Sequence, residues 1–265
     1  MIAREADSAD LLRYGRQIAF GGLGLGGQRA LRAGRVLVVG VGGLGSWATE
    51  LLARAGVGFL RLVDGDTVGP TNLHRQGLYD EADASAAAPK VEAARRRLGR
   101  INAAVVVEAV AERLGRDNAL RLAGDVDVIL DGTDNWASRF LLNDLAVSLG
   151  RPWVFAGVVG AEAQVMTILP GRGACLRCIM DGPPPRCQDP TCDGSGVLGP
   201  SVAAIASFQA AEAIKILARR LAEASPYLTK LDLWTNSLRR IDVGATARNR
   251  QCPCCGRGEL DFLEP

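Results

Sequence analysis

Apolar residues along this 265-residue chain change their spacing in a repeating order. A short unbroken run is followed by a polar or glycine-rich break, then by a stretch with apolar positions three or four residues apart. Arg35 to Val39 is a β-branched run of strand type, and Leu44 to Ala55 places Leu44, Trp47, Leu51 and Ala55 on one helical face. Phe59 to Val63 returns as a strand, Lys90 to Leu98 reads as a helix, and Val105 to Val110 and Val126 to Leu130 add two more strands. This alternation predicts an α/β fold: a Rossmann-like, mainly parallel sheet with helices on both faces. From Trp153 the rhythm changes to two extended runs, Trp153 to Val159 and Gln164 to Leu169, expected to be antiparallel, before a loop rich in proline, glycine and cysteine. Ile205, Phe208, Ala211, Ile214, Leu217 and Leu221 then recur at nearly helical spacing and predict an amphipathic helix. Leu228 to Val243 predicts a closing strand or hairpin.

These patterns divide one α/β domain into three parts: a helical arm over 1–34, a nucleotide-binding part over 35–150, and a cysteine-bearing part over 151–265. The formal charge of +2 gives no electrostatic argument for a nucleic-acid surface. Residues Met1 to Asp10 carry Glu5, Asp7 and Asp10 and lack an apolar segment, so no signal peptide is expected and the setting is read as cytoplasmic. The most apolar later stretch, Val197 to Ala211, is too short to span a bilayer and is interrupted by Gly199 and Pro200. No membrane span is expected.

Gly40-Val-Gly42-Gly43-Leu-Gly45 follows a predicted strand and opens a predicted helix. In that context glycines let the backbone approach phosphate oxygens, where a helix N-terminus presents unpaired N–H groups. Asp64 ends the next strand, where a carboxylate accepts hydrogen bonds from ribose hydroxyls. The bland reading is that the glycines only permit tight helix–strand packing, and the loop by itself does not choose between NAD and ATP.

Further polar residues fall where the C-terminal edge of the sheet should lie: Asp66, the run Asn72-Leu-His-Arg75-Gln76, Lys90, and Asp134-Asn135 just past a strand. A triphosphate attacked at its α-phosphorus by a carboxylate needs cations to relieve charge repulsion. Arg75 and Lys90 suit that task, and Asp134 suits a magnesium ion. Taken singly, each has an ordinary alternative, as a solvated surface charge or a helix cap. His74 is the chain's one histidine, so neither a histidine-based triad nor a histidine metal site can be assembled.

Seven cysteines in a chain expected to stay in a reducing compartment argue for metal or thiol chemistry rather than a disulfide framework. Cys175-Leu-Arg-Cys178 and Cys252-Pro-Cys254-Cys255 supply two pairs, and four thiolates close a tetrahedral structural zinc shell. The expected ligands are Cys175, Cys178, Cys252 and Cys255, with Gly256 turning the chain after the last. A redox role is the rival for either pair alone. Cys187 and Cys192 remain in the intervening loop, where a reactive thiol and a merely tolerated one are equally open.

Taken together, these motifs resemble the ThiF/MoeB/HesA family, bacterial relatives of ubiquitin-activating enzymes. The resemblance runs from Leu12-Arg-Tyr14-Gly-Arg16-Gln17 through the glycine loop, Asp64-Gly-Asp66, Asn72 to Gln76, Pro89-Lys90 and Thr133-Asp134-Asn135 to both cysteine pairs. It implies adenylation of the C-terminal Gly-Gly carboxylate of a ubiquitin-like sulfur-carrier protein, followed by sulfur transfer for thiamine or molybdopterin synthesis. It further implies ATP at Gly40, Gly42, Gly43, Gly45 and Asp64, phosphate contacts from Asn72, Arg75 and Lys90, and magnesium at Asp134 beside Asn135. Arg16 is implied to reach a partner subunit's site in a homodimer, and Cys192 to bond the carrier's acyl group. Thr71 stands where a serine is often seen, and Cys187 and Cys254 are extra to the pattern. Without a rhodanese-like extension, the sulfur donor is expected to be a separate protein, a cysteine desulfurase or rhodanese-like enzyme. Three alternatives share some of these features. An NAD-dependent oxidoreductase with structural zinc leaves Arg16, Arg75, Lys90 and Asp134 without work. A dehydratase acting on tRNA threonylcarbamoyladenosine would suit a more basic chain, and a zinc-stapled nucleic-acid scaffold is disfavoured by the near-neutral charge.

Overall fold

One eight-stranded sheet organises the computed structural model, which describes residues 12–180, 182–184, 196–244 and 251–264. Its strands are β1 (Arg35–Val39), β2 (Phe59–Val63), β3 (Val106–Val110), β4 (Val128–Asp131), β5 (Trp153–Val159), β6 (Glu162–Ile168), β7 (Tyr227–Asp232) and β8 (Ser237–Asp242). The helices are α1 (residues 12–18), α2 (Gly24–Ala33), α3 (Gly43–Ala55), α4 (Glu81–Ser85), α5 (Lys90–Ile101), α6 (Arg116–Ala123), α7 (Trp136–Leu149), α8 (Leu176–Ile179) and α9 (Gly199–Leu217). Strand order is β3-β2-β1-β4-β5-β6-β7-β8, parallel from β3 through β5 and antiparallel thereafter. The expected α/β class and the antiparallel second half are both present.

Helices cover both faces, so β1 and β4 are buried along nearly their whole length and mostly apolar on both sides, as parallel strands require. On one face α2, α3, α5 and α9 bury Leu31, Leu52, Val91 and Ile205 against Val36, Leu60 and Val154. On the other, α6 and α7 bury Leu122, Phe140 and Leu145 against Leu37, Ile129 and Trp153, and the cysteine region closes that layer. Helix α3 stops at Gly56, whose left-handed φ of 82° suits glycine. A Cβ at Gly56 would lie 2.6 Å from the ring of Tyr14, so the same position seats the N-terminal arm.

Two expectations for the later half need correction. Gly199 and Pro200, read as a break, form the first turn of α9, where proline's missing N–H costs nothing. The stripe read as its buried face is also displaced: Phe208 and Ala211 are exposed, while Val202, Ile205, Ala206, Ala210 and Ala213 turn inward. Small alanines let α9 approach its neighbours closely, and Gln209, fully buried, donates to the carbonyls of Asp131 and Val154 at 2.7 and 2.8 Å. The helix ends at Leu217, and Leu221 belongs to a separate 3-10 turn, Leu221–Glu223. Among the described helices, none is long and apolar enough to cross a membrane.

Candidate active site

Strand β1 lies between β2 and β4, and the chain proceeds from β1 to β2 and β3 on one side but to β4 and β5 on the other. This reversal opens a crevice at the strands' C-terminal ends. Three glycines let the backbone pack tightly beneath it. A Cβ at Gly45 would sit 1.9 Å from the carbonyl oxygen of Gly40, and one at Gly132 would sit 2.0 Å from the same atom. The loops after β1 and β4 therefore touch through backbone alone, and Gly40 N donates to Val63 O at 2.8 Å while Gly132 N donates to Val39 O at 2.7 Å.

A cavity of about 870 Å³ fills the crevice. Gly40, Gly42, Gly43, Asp64, Asn72, Arg75, Lys90, Asp134 and Asn135 all line it. Gly45 does not: it serves the packing of α3 against the loop, the bland role weighed for glycines of this motif. Asp64 accepts from Val41 N at 2.7 Å and Asp66 N at 2.8 Å, which fixes its carboxylate at the tip of β2. Lys90, the first residue of α5 and largely buried, lies 3.2 Å from Asp66 Oδ2. The guanidinium of Arg75 donates to Thr71 O at 2.8 Å and stands 2.8 Å from His74 Nε2. Asn72 Oδ1 accepts from Gly69 N at 3.0 Å, and Asn135 caps α7 by accepting from Ser138 N at 2.9 Å. Asp134 is exposed to the cavity between these groups.

Three cavity residues carry roles that the sequence did not assign. Gln76 is buried with an unpartnered Oε1, beside the space above Gly42. Arg139 stacks over Trp136 and Phe155 and donates to Thr133 O at 3.1 Å. Its Nε lies 3.6 Å from Asp131 Oδ2, and burial pushes the Asp131 carboxyl up, against the pull of Arg139. Arg113 reaches Asp66 at 2.6 Å from the β3–α6 loop. Gln76 lay inside a quoted motif and offered a signal, whereas Arg139 and Arg113 offered none.

The sulfur cluster forms farther along α7, beside Asn143, one helical turn beyond Arg139. The Sγ atoms of Cys175, Cys178, Cys252 and Cys255 all lie within 4.8 Å of one another. Cys175 is 3.8 Å from Cys178 and 3.7 Å from Cys252, and Cys178 is 3.4 Å from Cys255. Four sulfurs at zinc–sulfur distances of about 2.3 Å stand about 3.8 Å apart in a tetrahedron, so this donor set fits zinc. Cys254 stands outside this set of four: its Sγ accepts from Asn143 Nδ2 at 3.3 Å, and the thiol also contacts Cys175 and Asp144. Burial first, then the neighbouring Cys175, pushes the Cys255 thiol up to about 11, so a bound cation is what would favour four thiolates here. Cys187 and Cys192 lie outside the described residues, and Arg16 is exposed on α1, away from the cavity lining.

A Rossmann-like sheet with a phosphate-type crevice at its switch point and a four-cysteine staple defines a class of nucleotide-binding α/β proteins. The sequence profile of the ThiF family matches residues 14–254, and the chain belongs to that family. The Bacillus subtilis (strain 168) sulfur carrier protein ThiS adenylyltransferase is 37% identical over 251 residues, covering 95% of this chain and 73% of that protein. The Thermus thermophilus sulfur carrier protein adenylyltransferase is 38% identical over 252 residues, 93% of this chain and 91% of that protein. An Aspergillus fumigatus adenylyltransferase and sulfurtransferase, uba4, is 39% identical over 97% of this chain, which spans only 54% of that protein. In fold the chain is similar to Escherichia coli MccB, whose crystal structure with MccA-N7isoASN superposes with a TM-score of 0.79 at 23% identity, covering 93% of this chain and 74% of that one.

Proposed function

We propose that this chain adenylates the C-terminal carboxylate of a ubiquitin-like sulfur-carrier protein, using ATP as substrate and releasing pyrophosphate. The observation that carries this reading is the convergence of Arg75, Lys90 and Asp134, from three separate loops, on the cavity that the glycine loop floors. Its closest support outside the molecule is the adenylyltransferase named for the B. subtilis and T. thermophilus relatives.

In this reading the amides at the start of α3 and the glycine backbone take the phosphates, and Asp64 takes the ribose hydroxyls. A carboxylate oxygen of the carrier attacks the α-phosphorus as the bond to the bridging oxygen of pyrophosphate breaks. The products are an acyl-adenylate and pyrophosphate. No proton moves, because the attacking carboxylate is already ionised, so the step needs no general base. Arg75 and Lys90 offset the repulsion between two anions, and Lys90 exchanges Asp66 for phosphate. Asp134 would hold magnesium, which supplies charge neutralisation on the phosphate oxygens when bound. Cys175, Cys178, Cys252 and Cys255 hold zinc as a structural ion.

Exposed Arg16 acts in this reading on the site of a second subunit in a homodimer, and residues 151–265 receive the carrier. A thiamine-type carrier is favoured over a molybdopterin-type one by the B. subtilis relative. A separate cysteine desulfurase or rhodanese-like protein supplies sulfur, Cys192 bonds the acyl group, and the setting is cytoplasmic. The test is ATP–pyrophosphate exchange in the presence of the carrier. Exchange should require the carrier, vanish in Asp134→Ala and fall strongly in Arg16→Ala; full exchange in both variants overturns the reading.

A further inference from the structure

Helix α7 carries polar groups where its apolar surroundings give them no water. Asn143 and Asp144 are fully buried, about two turns beyond the Asp134 loop, and both are committed to the cysteine region. Asn143 Oδ1 accepts from Leu176 N at 2.8 Å, while its Nδ2 donates to Cys254 Sγ at 3.3 Å. Leu176 follows Cys175 and Cys254 precedes Cys255, so a single amide side chain is tied to both halves of the staple. Asp144 Oδ2 accepts from Phe262 N at 3.0 Å and lies 3.9 Å from Arg177 Nη1, on the short helix α8 between the first pair of cysteines.

One helical turn toward the N-terminus, Arg139 makes the corresponding attachment to the nucleotide site. It donates to Thr133 O and faces Asp131, and Asp131 Oδ1 accepts from both Thr133 N and Thr133 Oγ1, at 2.9 and 2.6 Å. Asn135 caps the helix. Both neighbours of Asp134 are therefore fixed by α7 or by groups bonded to it. Burying Asp131, Arg139, Asn143 and Asp144 along one helix costs more than burying apolar side chains of similar size. What these groups add is a fixed register for α7 between two sites.

We propose that α7 couples the sulfur cluster to the Asp134 loop, with Asn143 as the positioning residue, so that metal in the cluster improves acceptance of ATP–magnesium in the crevice. The inference rests on the ATP-binding function proposed above. Coupling of this kind is reciprocal: what one site does to the other's affinity, the other returns.

Two measurements on the metal-loaded protein test it, the first with zinc and the second with cobalt in its place. Asn143→Leu keeps the volume but loses the hydrogen bonds to Leu176 and Cys254, and with them the one to Asp144. It should retain zinc by metal analysis, yet need about ten-fold more magnesium for half-saturated ATP binding in calorimetry, with magnesium-free ATP binding unchanged. Cobalt-substituted wild-type protein should change its thiolate–cobalt absorption when ATP and magnesium are added. An unaltered magnesium requirement in folded Asn143→Leu overturns the proposal, and so does a cobalt spectrum indifferent to saturating ATP–magnesium. Should Asn143→Leu fail to fold, the wild-type cobalt spectrum decides. Wild-type protein that binds no ATP overturns the functional reading and this inference together, whereas normal ATP binding without a cobalt response overturns the coupling alone.

Discussion

The indole Nε1 of Trp47 donates to the backbone oxygen of Arg75 at 2.9 Å, tying the helix behind the glycine loop to the segment that carries the Arg75 cation. The same ring fills the space where a side chain at Gly77 would go, 2.7 Å from a Cβ built there. Trp47→Phe keeps the aromatic wedge but removes the donor. A neutral hydrogen bond contributes about 1 kcal/mol to stability, so the melting temperature should fall by about 2–4 °C, and ATP affinity should fall as the Arg75 segment loosens. Calorimetric titration with ATP measures this, and unchanged affinity would free Arg75 from dependence on α3.

Glycine substitutions separate packing from permissiveness. Gly45→Ala forces a methyl group against the Gly40 oxygen, backbone on backbone, with no flexible side chain to yield. The variant should lose ATP binding and a large part of its stability. Gly99, inside α5, has open space where its Cβ would go, so Gly99→Ala should raise stability by roughly 0.5–1 kcal/mol. Urea unfolding of the two variants checks the contrast; equal effects would show that the Gly40–Gly45 contact imposes no constraint.

Much of this architecture was legible because its signals are local. The strand, glycine loop and helix from Arg35 to Ala55 follow one another without a break, and Asp64 ends the next strand. The cysteine pairs were legible as pairs, although 77 residues separate Cys175 from Cys252. Arg139 and Asn143 were not. They lie in α7, Trp136–Leu149, a helix buried nearly all round, where no polar face marks a direction and a buried polar residue looks like any other interruption. Their partners come from β4, from the loop after it and from the cysteine region, which only the fold brings together. The face of α9 was misread for a related reason: alanines and Gln209, not the larger Phe208, form its contact, and hydrophobicity alone ranks these the wrong way.

The ligand register of the second cysteine pair gives a direct prediction. Cys254 is fully buried and, although it contacts Cys175, is bonded to Asn143 and lies outside the set of four, whereas Cys255 is only partly buried, belongs to that set and stands 3.4 Å from Cys178. Cys254→Ala should keep one zinc per chain and lose about 1 kcal/mol with its hydrogen bond. Cys255→Ala and Cys178→Ser should release zinc and destabilise the protein strongly, because ligand loss is also loss of folding energy. Metal analysis of the purified variants discriminates, and zinc lost from Cys254→Ala but kept in Cys255→Ala would reverse the assignment.

Acid stability follows from a cluster far from both sites. Asp125 lies 2.5 Å from Arg61 Nη1 and 2.6 Å from Arg35 Nη2, and Arg61, mid-strand in β2, is largely buried. The hydrogen bond from Arg61 foremost, with help from Arg35, holds the Asp125 carboxyl down from its ordinary 3.8 to about 2. A carboxyl whose pKa is lower in the folded than in the unfolded chain stabilises the fold fully above its unfolded value. That contribution is lost as pH falls toward the folded value. The window therefore runs from about 4 down to about 2, and nothing changes through neutrality. Asp125 is half exposed, so screening limits its contribution to about 1 kcal/mol. The stability difference between wild type and Asp125→Asn, measured by urea unfolding, should be constant near neutral pH and should shrink inside that window. A difference that stayed constant through the acid range would show that these ion pairs do not favour the charged carboxylate.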